Sequence, residues 1–225
     1  MITSAANPRL KLVRKLQSAS QRRRLGLFAA EGEDLVEAGL SAGLEPVDLL
    51  RAGENVEADL LAGLSDLPHP PRVVAVFRAA DLPAPEPRDA GVALWRLADP
   101  GNVGGLLRTA DAFGAFVALS RGCADPTSPK ALRASAGAVF RVPLLPYDDT
   151  PRPHVALVAH GGSSLAEVEL GDRLTFVLGS EREGLPDEVL ARCDAAVSIP
   201  VSGATESLNV TVAGAVALWE WRRRR

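Results

Sequence analysis

The second half of the chain alternates between two kinds of segment. Short, continuous apolar runs (GVALWRL, AFVALS, HVALVAH, RLTFVLG and AAVSIPV) are separated by stretches with helical spacing. Those stretches are NVGGLLRTADAFG, SPKALRASAGAV, LPDEVLARC and a closing segment from Ser207 to Arg222. A strand that is apolar on both faces must be covered on both faces, so runs interleaved with helices predict an α/β domain with a parallel sheet. In such sheets ligands bind past the carboxyl ends of the strands. Chemistry is therefore expected in the strand-to-helix loops.

The first part is smaller and begins with a basic helix from about Pro8 to Arg24. A short strand in FAAE, a helix from about Gly32 to Ala42 and strands in VDLLRA and RVVAVF follow. Between the halves, DLPAPEPRDA places Pro83, Pro85 and Pro87 at every second position. Proline fixes φ and donates no backbone hydrogen bond, so this stretch reads as an extended linker. The expected organisation is a small α/β domain over residues 1–82, a linker over 83–90 and a parallel-sheet domain over 91–225.

The formal net charge of -3 hides a segregation. Arg9, Lys11, Arg14, Lys15, Arg22, Arg23 and Arg24 fall in the first 30 residues with no acid among them, and Arg222 to Arg225 close the chain. Such ends suit contact with phosphates, because each cation placed on a phosphate releases counterions. A solvated basic helix face and a frayed tail would give the same pattern. Cys123 and Cys193 make neither a disulfide framework nor a zinc spacing, which points to a reducing compartment. His69, His154 and His160 lie beside prolines or at strand ends without metal-ligand spacing, so no metal is expected. The start, MITSAANPRL, has no apolar core of a signal peptide. No apolar run reaches the roughly 18 residues of a membrane span, since Glu220 interrupts the closing segment. A soluble, cytoplasmic protein is expected.

Three loops carry candidate chemistry. In ADPGNVGGLLRTADAFG, Pro100 and Gly101 make a turn, Asn102 can cap the helix, and Gly104 and Gly105 admit another backbone or a ligand. Arg108 follows six residues after Asn102, so both reach one site only if Asn102 lies on the loop. In VLGSEREGLP, the spacing of Gly179 and Gly184, with four residues between, resembles half of a phosphate-binding loop. Leu185 and Pro186 stand where a nucleotide-binding loop needs Lys and Ser or Thr, which excludes that chemistry. GNVGG likewise lacks the glycine spacing of a dinucleotide fold. In IPVSGATESLNV the chain turns at Gly203 and enters a helix near Ser207, with Thr205 or Ser207 as cap. That leaves Asn209 a turn inside a buried helix, where an unsatisfied amide costs about 1–3 kcal/mol.

DPGNVGGLLRTADAFGA, VLGSEREGL and IPVSGATESLNVTVAGAVAL, in that order, resemble the three motifs of the SpoU (TrmH-type) RNA 2′-O-ribose methyltransferases. The opening, ITSAANPRLKLVRKLQSASQRRRLGLFAAEGEDLVEAGL, resembles the small ribosomal-protein-like domain of that family, so the likeness spans nearly the whole chain. It implies a deep trefoil knot in the second domain, with the third motif threaded through a loop to hold S-adenosylmethionine. Gly179, Ile199 and Leu208 would line that pocket, with Leu178, Ser180, Gly184 and Gly203 beside them. Asn102, Arg108, Glu181, Ser207 and Asn209 would form the catalytic and RNA-facing set, and Arg9, Lys11, Arg22, Arg23 and Arg24 would contact RNA.

The activity so implied is S-adenosylmethionine-dependent methylation of a ribose 2′-oxygen in structured RNA, 23S ribosomal RNA ahead of transfer RNA. The family's mechanism is usually written with Arg108 as general base. A guanidinium stays protonated, so a phosphate clamp that also steadies alkoxide charge is the other role open to it. A homodimer with its site near the interface is also implied. The competing reading is an RNA-binding protein that keeps the fold without catalysis. A methyltransferase acting on small molecules or proteins fits the basic first domain less well.

Overall fold

The computed structural model describes residues 1–65, 70–202 and 207–225. The basic stretch expected as one helix is two. Helix α1 (Pro8–Leu16) has proline in its first turn and Asn7 accepting from the Arg9 N–H; α2 (Ala19–Leu25) ends on Gly26 at φ +63°. Between them Ser18 takes an extended conformation. The carbonyls of Leu16 and Gln17, freed by the break, accept from the Arg22 guanidinium at 2.8 and 2.9 Å.

Strands β1 (Leu27–Glu31), β2 (Asp48–Arg51) and β3 (Val73–Arg78) form an antiparallel sheet in the order β1-β3-β2. Helix α3 (Glu33–Ser41) follows β1, and a short helix that the sequence did not announce, α4 (Ala58–Ala62), follows β2. Residues 83–88, which hold the alternating prolines, adopt neither helix nor strand.

The second sheet is parallel throughout. Its strands are β4 (Ala90–Leu94), β5 (Phe116–Leu119), β6 (Leu144–Pro146), β7 (His154–Leu157), β8 (Ser163–Ser164), β9 (Leu174–Leu178) and β10 (Ala195–Ser198). They run in the order β6-β5-β4-β9-β7-β10-β8. Strands β4 and β9 pair at the centre and are buried along their whole length, as their unbroken apolar sequences require. The short edge strands β6 and β8 were not anticipated.

Helices α5 (Pro100–Phe113), α6 (Pro129–Ser135), α7 (Asp187–Leu190) and α8 (Val210–Arg223) complete the element order. The segment expected as helix α7 folds for only one turn. Helix α5 packs between α6 and α8 at close range. A Cβ on Gly104 would lie 2.4 Å from the Ala131 carbonyl oxygen, and one on Gly105 would lie 2.8 Å from the Thr211 side chain. The glycine pair thus admits two helices, not a ligand.

The two sheets share an apolar core. Phe28 from β1, Phe77 from β3 and Phe140, which follows α6, have ring centroids 5.4–6.1 Å apart. At the far end of α8, Glu220 accepts from Arg223 and Arg224, and Arg224 also donates to the Leu165 and Ala166 carbonyls. Arg225 pairs with Asp89, and the Trp221 indole N–H donates to the Gly171 carbonyl. The arginine tail is stapled down, not frayed.

Candidate active site

Strands β7, β9 and β10 end side by side, and the chain beyond each end encloses a cavity of about 510 Å³. Leu157 to Ala159 contribute from β7, Leu178 to Gly184 from β9, and Ile199 and Val201 from β10. The entry to α8 closes it with Ser207, Leu208, Asn209, Val210 and Ala213. Parallel strands place their carboxyl ends on one edge, and three loops separated by tens of residues therefore meet there. The volume lies within the range of small-molecule sites.

The loop after β9 is folded back on itself. Ser180 and Gly184 exchange both backbone hydrogen bonds, at 3.0 and 3.1 Å, and Gly184 sits at φ +64°. A Cβ on Gly179 would lie 2.1 Å from the Gly184 carbonyl carbon, so any side chain there would force the hairpin open. The result is a backbone-lined wall beside the apolar Leu157, Ile199 and Leu208, the surface a flat heterocycle with a polar edge requires.

A polar chain runs along the mouth. Asp99 caps α5 by accepting from the Asn102 N–H, and Lys130, then that N–H, hold its carboxyl below the ordinary value. Asn102 is therefore not the cap but lies within the first turn of α5. Its side-chain NH₂ donates to Glu181 at 2.7 Å, and its amide oxygen accepts from the Asn209 NH₂ at 3.2 Å. The Asn209 oxygen in turn accepts from the Thr211 and Val212 N–H groups, so Asn209 is the N-cap of α8. Two amides thus link a carboxylate to the positive end of a helix dipole in one polarised line.

This overturns the expectation for Asn209. The helix begins three residues later than Ser207, Asn209 is exposed, and no amide is stranded in a buried helix. Gly203 and Thr205 lie outside the described residues.

Of the remaining expected residues, Leu178, Gly179, Ser180, Gly184, Ile199 and Leu208 line the cavity, as do Glu181, Ser207 and Asn209. Asn102 stands behind Glu181 and Asn209. Arg108 is not brought to them. Six residues on from Asn102 it points about 120° away and sits about 9 Å further along α5. It is exposed and has no hydrogen bond or ion pair among the described residues. Because Asn102 is helical, the condition for both to share one chain's site is not met.

The basic N-terminal set also divides. Arg22 is 5% exposed, and its guanidinium donates to Asp125 at 2.7 and 2.8 Å as well as to the α1 carbonyls, so it is structural and not free for RNA. Arg9 pairs with Asp48, and Arg24 donates to Gln21. Lys11 and Arg23 are exposed without a partner among the described residues.

Sequence reasoning missed the contribution of β7. HVALVAH was identified as a strand, and the rule that ligands sit at strand ends would have singled out Leu157 to Ala159. Away from the cavity, burial pushes Tyr147 up to about 12 and raises the Cys193 thiol, so neither supplies a base or nucleophile near neutrality. Among the described residues no helix is long and apolar enough to cross a membrane.

Comparison with known proteins agrees with this geometry. Over its full length the chain is 34% identical to a Synechocystis protein named a tRNA/rRNA methyltransferase, 94% of which is covered. It is 29% identical to the 23S rRNA (guanosine(2553)-2′-O)-methyltransferase RlmP of Bacillus subtilis, with 98% of each chain covered. The AdoMet-bound rRNA methyltransferase of Sinorhizobium meliloti superposes with a TM-score of 0.88 at 28% identity, covering 99% of this chain and 97% of that one. Residues 89–219, the span holding every strand that ends on the cavity, match the model of the SpoU rRNA methylase family. With the cavity, the three converging loops and this match in agreement, the chain belongs to the SpoU rRNA methylase family.

Proposed function

We propose that the protein transfers a methyl group from S-adenosylmethionine to a ribose 2′-oxygen in structured RNA, with ribosomal RNA the first candidate. The observation that carries this reading is the meeting of the β7, β9 and β10 loops in one cavity whose mouth holds the Glu181–Asn102–Asn209 line. The bound cofactor supplies an electrophilic methyl on a sulfonium.

The chain's own part is positioning. The Gly179–Gly184 hairpin and the apolar Leu157, Ile199 and Leu208 would hold the cofactor. Ser207, Glu181 and Asn209 offer a hydroxyl, a carboxylate and an amide where a sugar hydroxyl would be seated. Fixing two reactants in this way is worth up to about 7–11 kcal/mol of barrier.

Arg108 lies outside its own chain's site, and this favours a homodimer. Helices α5 and α8 run side by side, and α8 exposes Val212 (48%) and Trp219 (51%). A second copy seated there would cover the apolar residues and bring an arginine toward the phosphate next to the target ribose. The reading includes the deep trefoil knot that the family resemblance implies for the parallel-sheet domain.

Calorimetric titration with S-adenosylmethionine tests the cofactor site, and mapping of ribose methylation in total RNA with and without the gene tests the reaction. Binding at one site per chain and loss of one methylated ribose are expected. No heat of binding, or an unchanged methylation map, would refute the reading.

A further inference from the structure

The edge of the sheet beside the cavity carries two arginines that nothing above employs. Strands β4 and β5 end in register at Leu94 and Leu119, and the loops leaving them are zipped together. The Ser120 N–H donates to the Leu94 carbonyl at 3.0 Å, the Arg96 N–H to the Ser120 hydroxyl at 2.9 Å, and the Ala124 N–H to the Leu97 carbonyl at 2.8 Å. Arg96 and Arg121 stand at this crossing. The Arg96 Cγ lies 3.5 Å from where a Cβ on Gly122 would be.

Both side chains are exposed, and neither has a hydrogen bond or ion pair among the described residues. Neighbouring cations are neutralised: Lys130 by Asp99 and Arg22 by Asp125. The Arg96 backbone is at φ +52°, a left-handed conformation that glycine adopts freely and a branched side chain does not. An arginine at a glycine's conformation is a strained choice, and strain of this kind gathers at functional positions.

The location fits a polyanion. From Leu97 the loop continues to Asp99, the cap of α5, and so to Asn102 at the mouth of the cavity. On the other side, the Arg22–Asp125 pair fixes the basic helix α2, with its exposed Arg23, to the loop that carries Arg121.

The geometry points to Arg96 and Arg121 as a phosphate-binding ledge that seats the RNA backbone next to the target ribose. The inference rests on the RNA reading above and adds to it the residues that hold the strand.

The test is the affinity of the full-length protein for a fluorescein-labelled RNA hairpin, measured by anisotropy across a potassium chloride series. A generic hairpin serves because phosphate contacts carry no sequence. Each lost contact lowers the slope of log Kd against log salt by about 0.7–0.9.

Arg96→Gly is expected to lower the slope by about one such step while the melting temperature holds or rises, because glycine relieves the left-handed backbone. The Arg96→Gly/Arg121→Ala pair is expected to lower it by about two steps and to weaken binding roughly tenfold at low salt. Arg222→Ala, in the last turn of α8, should leave the slope unchanged. S-adenosylmethionine affinity should match wild type in all three.

An unchanged slope in the double variant, or a fall in melting temperature with no change in slope, would overturn the ledge. Failure of the wild type to bind S-adenosylmethionine would overturn the function itself, so the two failures are told apart.

Discussion

Asn209 serves two ends with one side-chain amide. Its oxygen caps α8, and its NH₂ holds Asn102 against Glu181. The two duties separate by substitution. Asn209→Ala loses both, at about 1 kcal/mol for the cap alone. Asn209→Asp keeps an acceptor, and its charge suits the helix N-terminus, but it cannot donate to Asn102. The aspartate variant should therefore melt near wild type while methyl transfer falls by an order of magnitude or more, measured as tritium incorporation into RNA. Equal loss of stability and activity in both variants would make Asn209 a cap only. The site was legible to this depth because its residues cluster within motifs. What was not legible is where the closing helix starts. Ser207 and Thr205 are as good caps as Asn209, and the choice is made by Asn102, more than a hundred residues earlier in the chain.

Helix α8 shows the same dependence over a whole element. Its last turn places Arg223 and Arg224 on Glu220, and these hydrogen bonds, Arg223 first, hold the Glu220 carboxyl down at about 2. Because the folded value lies below the ordinary one of 4.5, the ionised form favours the folded state. That contribution is complete above the unfolded pKa and is lost as pH falls through the folded one. Glu220→Gln should lower the melting temperature at pH 7, with the gap from wild type narrowing below about 4.5 and closing near 2. A gap constant from pH 7 to pH 3 would show that the pairs add nothing. In sequence the four closing arginines read equally as a loose basic tail, since their acceptors at Leu165, Ala166 and Asp89 lie far away in the chain. The strands, by contrast, were readable because burial on both faces leaves a continuous apolar run. The break between α1 and α2 was not, since no glycine or proline marks it and Arg22, held by Asp125, satisfies the carbonyls it frees.

For the molecule as a whole, the proline-rich stretch suggests two units joined by a strap, yet side chains from both sheets meet in one apolar cluster. Phe28 and Phe77 from the small sheet close on Phe140 from the turn between α6 and β6, and Gly137 lies so near Ala38 that a Cβ there would sit 2.4 Å from the alanine's. If this contact couples the sheets, the protein unfolds in a single step despite its linker. The tryptophans report on this directly, because Trp95, Trp219 and Trp221 all lie beyond the linker while far-ultraviolet circular dichroism senses both parts. Wild type should give one midpoint by both probes. Phe140→Ala removes the ring that bridges the two parts, at about 3–5 kcal/mol, and the small sheet, left with only its own smaller core around Leu10, Leu16, Leu50 and Val76, should then melt first. Its circular-dichroism midpoint would fall below the fluorescence midpoint. Coincident midpoints in the variant, shifted together by less than about 1 kcal/mol, would mean that the Phe140 ring adds little to the coupling and that the remaining contacts, Gly137 on Ala38 and Arg22 on Asp125 among them, carry it.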